Sequence, residues 1–209
     1  MRRWVLALSA VVLYNTWLAW PLNGSPDALL GYVSELAAAD QPFAWFFRAA
    51  DIAATAVFAI IALTGWRGWE AWLGQPWSRR LAVALAGVAL GTALDVIFKL
   101  PCAESRDAAC AATPSLQRHF HEAASVITST AQVAMIAFVA LALAARSGWT
   151  RLARQVAWLA GVVSALLLSS VAAPYVLRGA QGPIQIIQIL LCSLWIAYLA
   201  WHLPQEQHD

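Results

Sequence analysis

Charged residues are scarce in this sequence of 209 residues: Asp, Glu, Lys and Arg make up only 11% of it, whereas 61% belongs to the hydrophobic set. A water-soluble domain carries about 25% charged residues, so this chain has too few to cover a surface that faces water. The net charge of +2 and the lack of a Lys/Arg-rich run argue against binding to nucleic acid phosphates. The composition predicts an integral membrane protein whose partners are membrane lipids, with no nucleic-acid partner.

Motifs of familiar catalytic and metal sites are also missing. The sequence has no Gly-x-Ser-x-Gly motif, no His-Glu-x-x-His motif and no Cys-x-x-Cys pair. Cys102 and Cys110 share one polar loop, for which we favour a disulfide over a zinc site with two cysteine ligands. Cys192, the remaining cysteine, lies inside an apolar run and is interpreted as a small apolar residue.

Six apolar segments are each close to the roughly 20 residues that a helix needs to cross a bilayer. They cover residues 4–20, 43–66, 81–100, 119–145, 156–177 and 184–203. We therefore predict an all-α fold, a polytopic bundle of six transmembrane helices that forms a single domain over residues 1–209. The first segment follows Arg2 and Arg3 as in a signal peptide, but it has no clear small-x-small cleavage site. Pro174 predicts a kink in the fifth span, and residues 29–36 predict a short helix on the membrane surface.

The distribution of arginine gives an orientation. If the N-terminus is cytoplasmic, the inner segments hold most of the arginines that lie outside the spans, namely Arg2, Arg3, Arg67, Arg79, Arg80, Arg146, Arg151 and Arg154. The outer loops then hold only Arg106, Arg118 and Arg178. The positive-inside rule predicts a multi-pass protein of the cell membrane with both termini in the cytoplasm.

Polar residues recur at helical spacing inside four spans. They are Arg48, Asp51 and Thr55 in the second span, Thr92, Asp95 and Lys99 in the third, Arg118, His121, Ser125, Thr128 and Gln132 in the fourth, and Gln185 and Gln188 in the sixth. Each set falls on one helix face. A charge at membrane depth costs at least about 2.5 kcal/mol unless it is paired or hydrated. At about 1.5 Å per residue, Asp51 lies roughly 12 Å and Asp95 roughly 9 Å below the outer end of its span. The shared depth predicts an outward-facing polar pocket at the level of lipid headgroups.

This pocket supports three functional hypotheses. The preferred one is binding of a lipid or a small polar ligand by Arg48, Ser34, Glu35, Thr128, Gln132, Gln185 and Gln188. The second is an intramembrane lipid hydrolase or acyl transferase with His121, Asp51, Asp95, Glu122 and Ser125 as catalytic residues. A divalent metal on His121 and the carboxylates is an alternative that we do not favour. A small transporter ranks last because the inner halves of the spans are apolar.

Other interpretations stay open. Arg48 with Asp51, and Asp95 with Lys99, are candidates for structural ion pairs within their own helices. His202 and His208 are expected to be solvated or interfacial. Gly87 and Gly91, four residues apart, could pack helices within one chain or between protomers, so the oligomeric state is not fixed.

Two stretches resemble a known family. One is the Ser-Glu-Leu loop at residues 34–36 followed by Arg48 and Asp51, and the other is Asp95 with Pro101-Cys102 followed by His121-Glu122-x-x-Ser125. Their order and spacing are similar to the bacterial and archaeal membrane family known as domain of unknown function 998, which implies a multi-pass protein and no established reaction. Members more often carry Phe-Pro-x-Asp-Cys where this chain has residues 98–102.

A shorter resemblance concerns the Tyr-x-Ser-acidic pattern of Tyr32, Ser34 and Glu35. It looks like the six-helix family of autophagy modulators and glycolipid-anchor remodelling proteins. This resemblance implies work on, or beside, membrane lipids.

Overall fold

The computed structural model describes residues 2–204, so the predicted position of His208 lies outside the described residues. Within that range, six helical segments are long and apolar enough to cross a membrane, which confirms the all-α fold with six spans. The α-helices are α1 Arg3–Tyr14, α2 Ala44–Gly68, α3 Glu70–Leu73, α4 Gln75–Ile97, α5 Ala108–Ala112, α6 Leu116–Ser147, α7 Arg151–Val176 and α8 Gln181–Trp201. Three 3₁₀ segments, Thr16–Asn23, Pro26–Leu29 and Val33–Ala37, follow α1.

The long helices form a closed ring. Each packs against the next long helix along the chain, and α8 packs against α1. At one end of the ring, which we call the arginine end, α1, α4 and α7 begin and α2, α6 and α8 end. The half of the bundle next to this end holds the main apolar core, with Phe58, Leu85, Met135 and Ile196 fully enclosed. The buried polar side chains therefore lie mainly in the other half of the bundle.

The first span is α-helical only as far as Tyr14, although the hydropathy predicts a helix to Trp20. The next residue, Asn15, turns its amide back on the helix and donates to Val11 O and to Ser193 Oγ, both at 2.8 Å. Its Oδ1 accepts a hydrogen bond from Trp17 Nε1 at 3.0 Å. Because an Asn side chain competes with the backbone for hydrogen bonds, the chain continues beyond this point as a 3₁₀ segment.

Residues 26–41, which we call the lid, cover the end of the bundle opposite the arginine end. They do not form the expected helix on the membrane surface. Two 3₁₀ turns pack inward instead, with Glu35 and Leu36 buried. Val33 N donates to Gln185 Oε1 of α8 at 2.6 Å, and Arg48 Nε of α2 donates to Ala37 O at 2.8 Å. The lid is thus fastened to both sides of the ring.

Pro174 lies inside α7, near its end at Val176. Proline has no N–H, so the carbonyl of Ser170, four residues earlier, loses its donor within the helix. The hydroxyl of Tyr32 in the lid donates to Ser170 O at 3.1 Å. The lid therefore satisfies a backbone group that the proline leaves free.

The loop between α4 and α6 carries the disulfide between Cys102 and Cys110, which confirms the predicted pairing. Arg118 at the start of α6 donates to the carbonyls of Cys110 and Ala111, each at 2.9 Å, and pairs with Glu104. These contacts attach the disulfide loop to the bundle.

Gly87 and Gly91 bring α4 close to α6 within one chain. A Cβ at Gly91 would overlap Thr128 Oγ1 and lie 2.8 Å from the backbone nitrogen of Thr128, and a Cβ at Gly87 would lie 3.1 Å from the Cβ of Ala131. The small residues thus pack two helices of the same chain against each other.

Candidate functional site

A polar cavity of about 100 Å³ lies between the lid and the apolar core. An apolar cavity of about 150 Å³ is large enough for benzene, so this one accepts a group of a few heavy atoms. Its walls include Thr92 of the predicted polar face and eight of the twelve predicted site residues, namely Ser34, Asp51, Asp95, Ser125, Thr128, Gln132, Gln185 and Gln188. They come from the lid and from α2, α4, α6 and α8, so residues far apart in sequence meet at one place.

Asp95 is contacted by two side chains of α6. Ser125 Oγ donates to Asp95 Oδ1 at 3.0 Å, and His121 Nδ1 lies 3.5 Å from the same oxygen. His121 Nδ1 is also 3.1 Å from Phe98 O and 3.3 Å from Asp95 O. These carbonyls belong to the end of α4, where helical partners run out. We therefore place a proton on Nδ1 of His121. This nitrogen donates to the carbonyls and so caps the end of α4.

The order of these three groups differs from that of a catalytic triad. In a triad the histidine lies between the serine and the carboxylate and takes the serine proton. Here the Asp95 carboxylate lies between Ser125 and His121. No hydrogen bond joins Ser125 to His121 in residues 2–204, so the histidine is not placed to activate the serine.

Asp51 opens onto the cavity from α2. Its carboxylate has no hydrogen-bond or ion-pair partner in the described part of the chain. The expected pair with Arg48 is not formed there. Arg48 Nε donates to Ala37 O in the lid instead, and its Nη2 is buried without a partner in the described part of the chain. The expected pair of Asp95 with Lys99 is likewise missing from those residues. The interpretation of these residues as paired structural charges therefore does not hold.

Two buried amides connect three helices below the carboxylates. Gln188 Nε2 donates to Gln132 Oε1 at 3.1 Å, and Gln132 Nε2 donates to Tyr14 Oη at 2.8 Å. Gln132 is only 2% and Gln188 3% exposed. This chain of hydrogen bonds fixes α1, α6 and α8 around the cavity and leaves Gln188 Oε1 without a partner among residues 2–204.

The sequence patterns do not predict several of the residues that line the cavity. Ser129 follows Ser125 by four residues. This spacing places both side chains on one face of α6 and could have identified Ser129. Tyr14, Thr16 and Trp17 also line the cavity. They lie near the end of the first span, where aromatic residues are usually interpreted as interfacial, and nothing local in the sequence distinguishes them.

Four predicted site residues, Arg48, Glu35, His121 and Glu122, do not line the cavity. Glu122 is exposed and pairs with His119 at 3.2 Å. Glu35 belongs to the lid, where its Oε1 accepts from Tyr32 N at 3.3 Å and its Oε2 accepts from Ser105 N at 3.2 Å and from Ser105 Oγ. Burial raises the pKa of Glu35 above its ordinary value, and the hydrogen bonds from Ser105 oppose that rise. Glu35 joins the lid to the disulfide loop.

A metal centre finds no geometric support. Across residues 2–204, no three side chains of the His, Cys, Asp and Glu types gather where they could hold a metal ion. His121 turns its Nδ1 to the end of α4, and Glu122 points away to His119. His121 and Asp95 are the two donors of the metal hypothesis that lie together, and no third donor joins them within residues 2–204.

Comparisons with known proteins give a family and no further relative. No curated protein and no solved structure matches the chain. The model of one family, described as protein of unknown function (DUF998), matches residues 5–202. That range includes every residue of the cavity, five of the six spans whole and all but the first two residues of the other one. The chain therefore belongs to the DUF998 family of proteins of unknown function.

Proposed function

We propose that this membrane protein binds a small polar group, either a lipid headgroup or a small molecule, in the cavity beneath the lid. In this proposal the chain is a single domain, the lid end faces outward at headgroup depth, and both termini are cytoplasmic. The observation that carries the proposal is the convergence of Asp51, Asp95, Ser125 and Gln188 on one cavity. A charged or polar side chain at membrane depth is costly unless something satisfies it, and Asp51 has no protein partner among the described residues.

The apolar half of the bundle favours binding over transport. A continuous path would need polar groups beyond Gln132 towards the arginine end. Phe58, Met135 and Ile136 are instead fully enclosed in the core on that side. The proposed site is therefore a pocket with one mouth.

A cavity-filling variant tests this function. Ser129 lies in the cavity wall, whereas the neighbouring Thr130 is exposed. Mass spectrometry of lipids and metabolites that copurify with the protein should show a molecule enriched with wild type and with Thr130→Phe, and depleted with Ser129→Phe. If nothing is enriched over the bulk membrane, or if the three proteins carry the same molecules, binding in this cavity is contradicted.

The contact between Ser125 and Asp95 favours one further candidate, an intramembrane lipid hydrolase or acyl transferase. In that case Ser125 would attack an ester carbonyl and give its proton to Asp95, rather than to His121. Asp95 would pass this proton to the alcohol that leaves when the ester bond breaks, and water or a second alcohol would then take the acyl group from Ser125. Lipid profiles of cells that produce wild type, Ser125→Ala or His121→Ala test it. The enzyme requires a lipid that changes with Ser125→Ala, and unchanged profiles at equal protein levels count against it.

A further inference from the structure

The cavity carries charges of one sign. Asp51 and Asp95 both line it, whereas no Lys, Arg or His of residues 2–204 does. The effective cost of burying an ion in a protein is several kcal/mol unless a counter-charge and hydrogen bonds offset it. A phosphate or carboxylate would add to this cost, because anions are bound by Arg, Lys or backbone N–H donors. The occupant that suits these walls is a cation.

Three side chains of the cavity offer acceptor oxygens that are free, beside neutral hydroxyl and amide groups that also lack a partner within the described residues. Both oxygens of Asp51 lack a partner within the described residues. Ser125 and His121 contact only Oδ1 of Asp95, so Oδ2 is free. Gln188 uses its amide nitrogen on Gln132 and keeps its oxygen unpaired, although the side chain is 97% buried since only 3% is exposed. A primary ammonium has three N–H donors and no acceptor, which matches acceptors from α2, α4 and α8.

Size and aromatic walls narrow the cation further. The volume of about 100 Å³ is more than a bare metal ion needs and fits an ammonium with a short carbon stem. The rings of Tyr14, Trp17 and Phe47 line the same space. A cation is attracted to the face of an aromatic ring, so an organic ammonium suits these walls.

We propose that the cavity binds a primary ammonium group among Asp51, Asp95 and Gln188, presented either by an ethanolamine-type lipid headgroup or by a free primary amine. If a lipid is the source, its phosphate stays outside the cavity, where no anion has to be buried. This inference rests on the proposed binding function and adds the chemical class of the ligand.

The test uses the full-length protein in detergent and three small probes that differ at one group. Ethanolamine carries the ammonium, ethylene glycol replaces it with a hydroxyl, and choline methylates it. Calorimetry and thermal unfolding should show binding of ethanolamine, no binding of ethylene glycol, and choline weaker by about tenfold, since hydrogen bonds to charged groups contribute about 1.5–3 kcal/mol and each 1.4 kcal/mol is tenfold. Asp51→Asn should weaken ethanolamine binding by at least about tenfold, whereas Glu70→Gln at the arginine end should leave it unchanged.

A second arm identifies the source. The protein is placed in phosphatidylcholine nanodiscs with added phosphatidylethanolamine or phosphatidylglycerol and measured by native mass spectrometry. Retained phosphatidylethanolamine that free ethanolamine displaces indicates a lipid headgroup. Ethanolamine binding with no retained phosphatidylethanolamine indicates a free amine. Either result supports an ammonium site.

Other outcomes overturn the inference in distinguishable ways. If ethylene glycol or phosphatidylglycerol binds as well as the ammonium probes, the ligand class is wrong, whereas the cavity remains a ligand site. If no probe binds and no molecule copurifies, the proposed function fails as well. Should Asp51→Asn not fold, the comparison of ethanolamine with ethylene glycol on wild type decides the question without a variant.

Discussion

Asp95 illustrates how much of the candidate site depends on single positions. Its place two residues before the end of α4 puts the carboxylate beside Ser125 and its own backbone carbonyl beside His121. The spacing of three and four residues along α4 and α6 predicted that these side chains share a level. It did not predict their order, because the order depends on how the two helices are rotated against each other.

Gly91 lets α4 approach α6 closely, because a side chain at this position would overlap Thr128. Gly91→Ala should lower the free energy of unfolding by about 1–3 kcal/mol, the usual cost of an added methyl group in a tightly packed site. The new Cβ would overlap Thr128 Oγ1 and lie 3.0 Å from Ala124 O. Thermal unfolding of the purified protein in detergent measures the change.

Gly161→Ala is the matched control for that experiment. Gly161 lies in α7 and is exposed, and a Cβ added there would meet no atom within 4 Å. Alanine is the better helix former by about 0.8–1.0 kcal/mol, so this variant should be neutral or more stable. Equal effects of the two substitutions would contradict a packing role for Gly91.

The positions of Tyr14 and Trp17 in the cavity wall could not be predicted from the sequence. Tyr14 ends the α-helical part of the first span, Trp17 belongs to the 3₁₀ segment after Asn15, and both line the cavity. Asn15 is held there by Ser193, which is 178 residues away in sequence. No local pattern contains such a contact, whereas Asp51, Ser125 and Thr128 were found because helical spacing alone places them.

Among the elements, the lid differs most from its sequence-based expectation. An amphipathic stretch beside a membrane predicts a surface helix, but this segment satisfies groups on three helices and one loop. Tyr32 reaches Ser170 O, Val33 N reaches Gln185 Oε1, and Glu35 accepts from Ser105. These partners come from distant parts of the chain, so local amphipathicity could not reveal them.

The bond between the lid and α7 predicts a coupling between Tyr32 and Pro174. Tyr32→Phe should cost about 1–3 kcal/mol, because Ser170 O is then left without a donor. In a Pro174→Ala background the restored N–H can serve Ser170 O, so the same substitution should cost much less. Unfolding free energies of the four proteins form a double-mutant cycle, for which we expect a coupling of about 1 kcal/mol.

Tyr175→Phe provides the control for the cycle. Tyr175 follows the proline, is 88% exposed, and makes no hydrogen bond within residues 2–204. Its loss of a hydroxyl should leave stability nearly unchanged in either background. Additive effects of Tyr32→Phe and Pro174→Ala would show that the lid does not stabilise the carbonyl freed by the proline.

In the molecule as a whole, the six spans were predictable because bilayer thickness sets both their length and their apolar character. The ends of the helices were less predictable. α4 begins at Gln75 and α7 at Arg151, several residues before the apolar runs start. Polar residues extend these helices beyond the apolar runs, and hydropathy marks only the apolar part of a helix. The closed ring of helices depends on side-to-side packing, which periodicity does not specify.

The two ends of the ring also differ in chemistry, and the difference predicts how the protein sits in the membrane. At the arginine end, Arg3, Arg79 and Arg80 lie over the rings of Trp201, Trp66 and Trp77. Arginine concentrates on the cytoplasmic side of membrane proteins. The other end carries the disulfide, and disulfides persist in oxidising compartments outside the cytoplasm. Two unrelated rules thus predict that the lid faces outward.

Thiol labelling of intact cells tests this orientation. The native cysteines are expected to be silent, since Cys102 and Cys110 are bonded and Cys192 is buried. A membrane-impermeant maleimide should label Asp27→Cys, in the exposed part of the lid, before the cells are permeabilised. Ser147→Cys, exposed at the arginine end, should react only afterwards. The reverse pattern would place the lid in the cytoplasm, so any ligand of the cavity would have to reach it from there, and labelling of both before permeabilisation would contradict a single orientation.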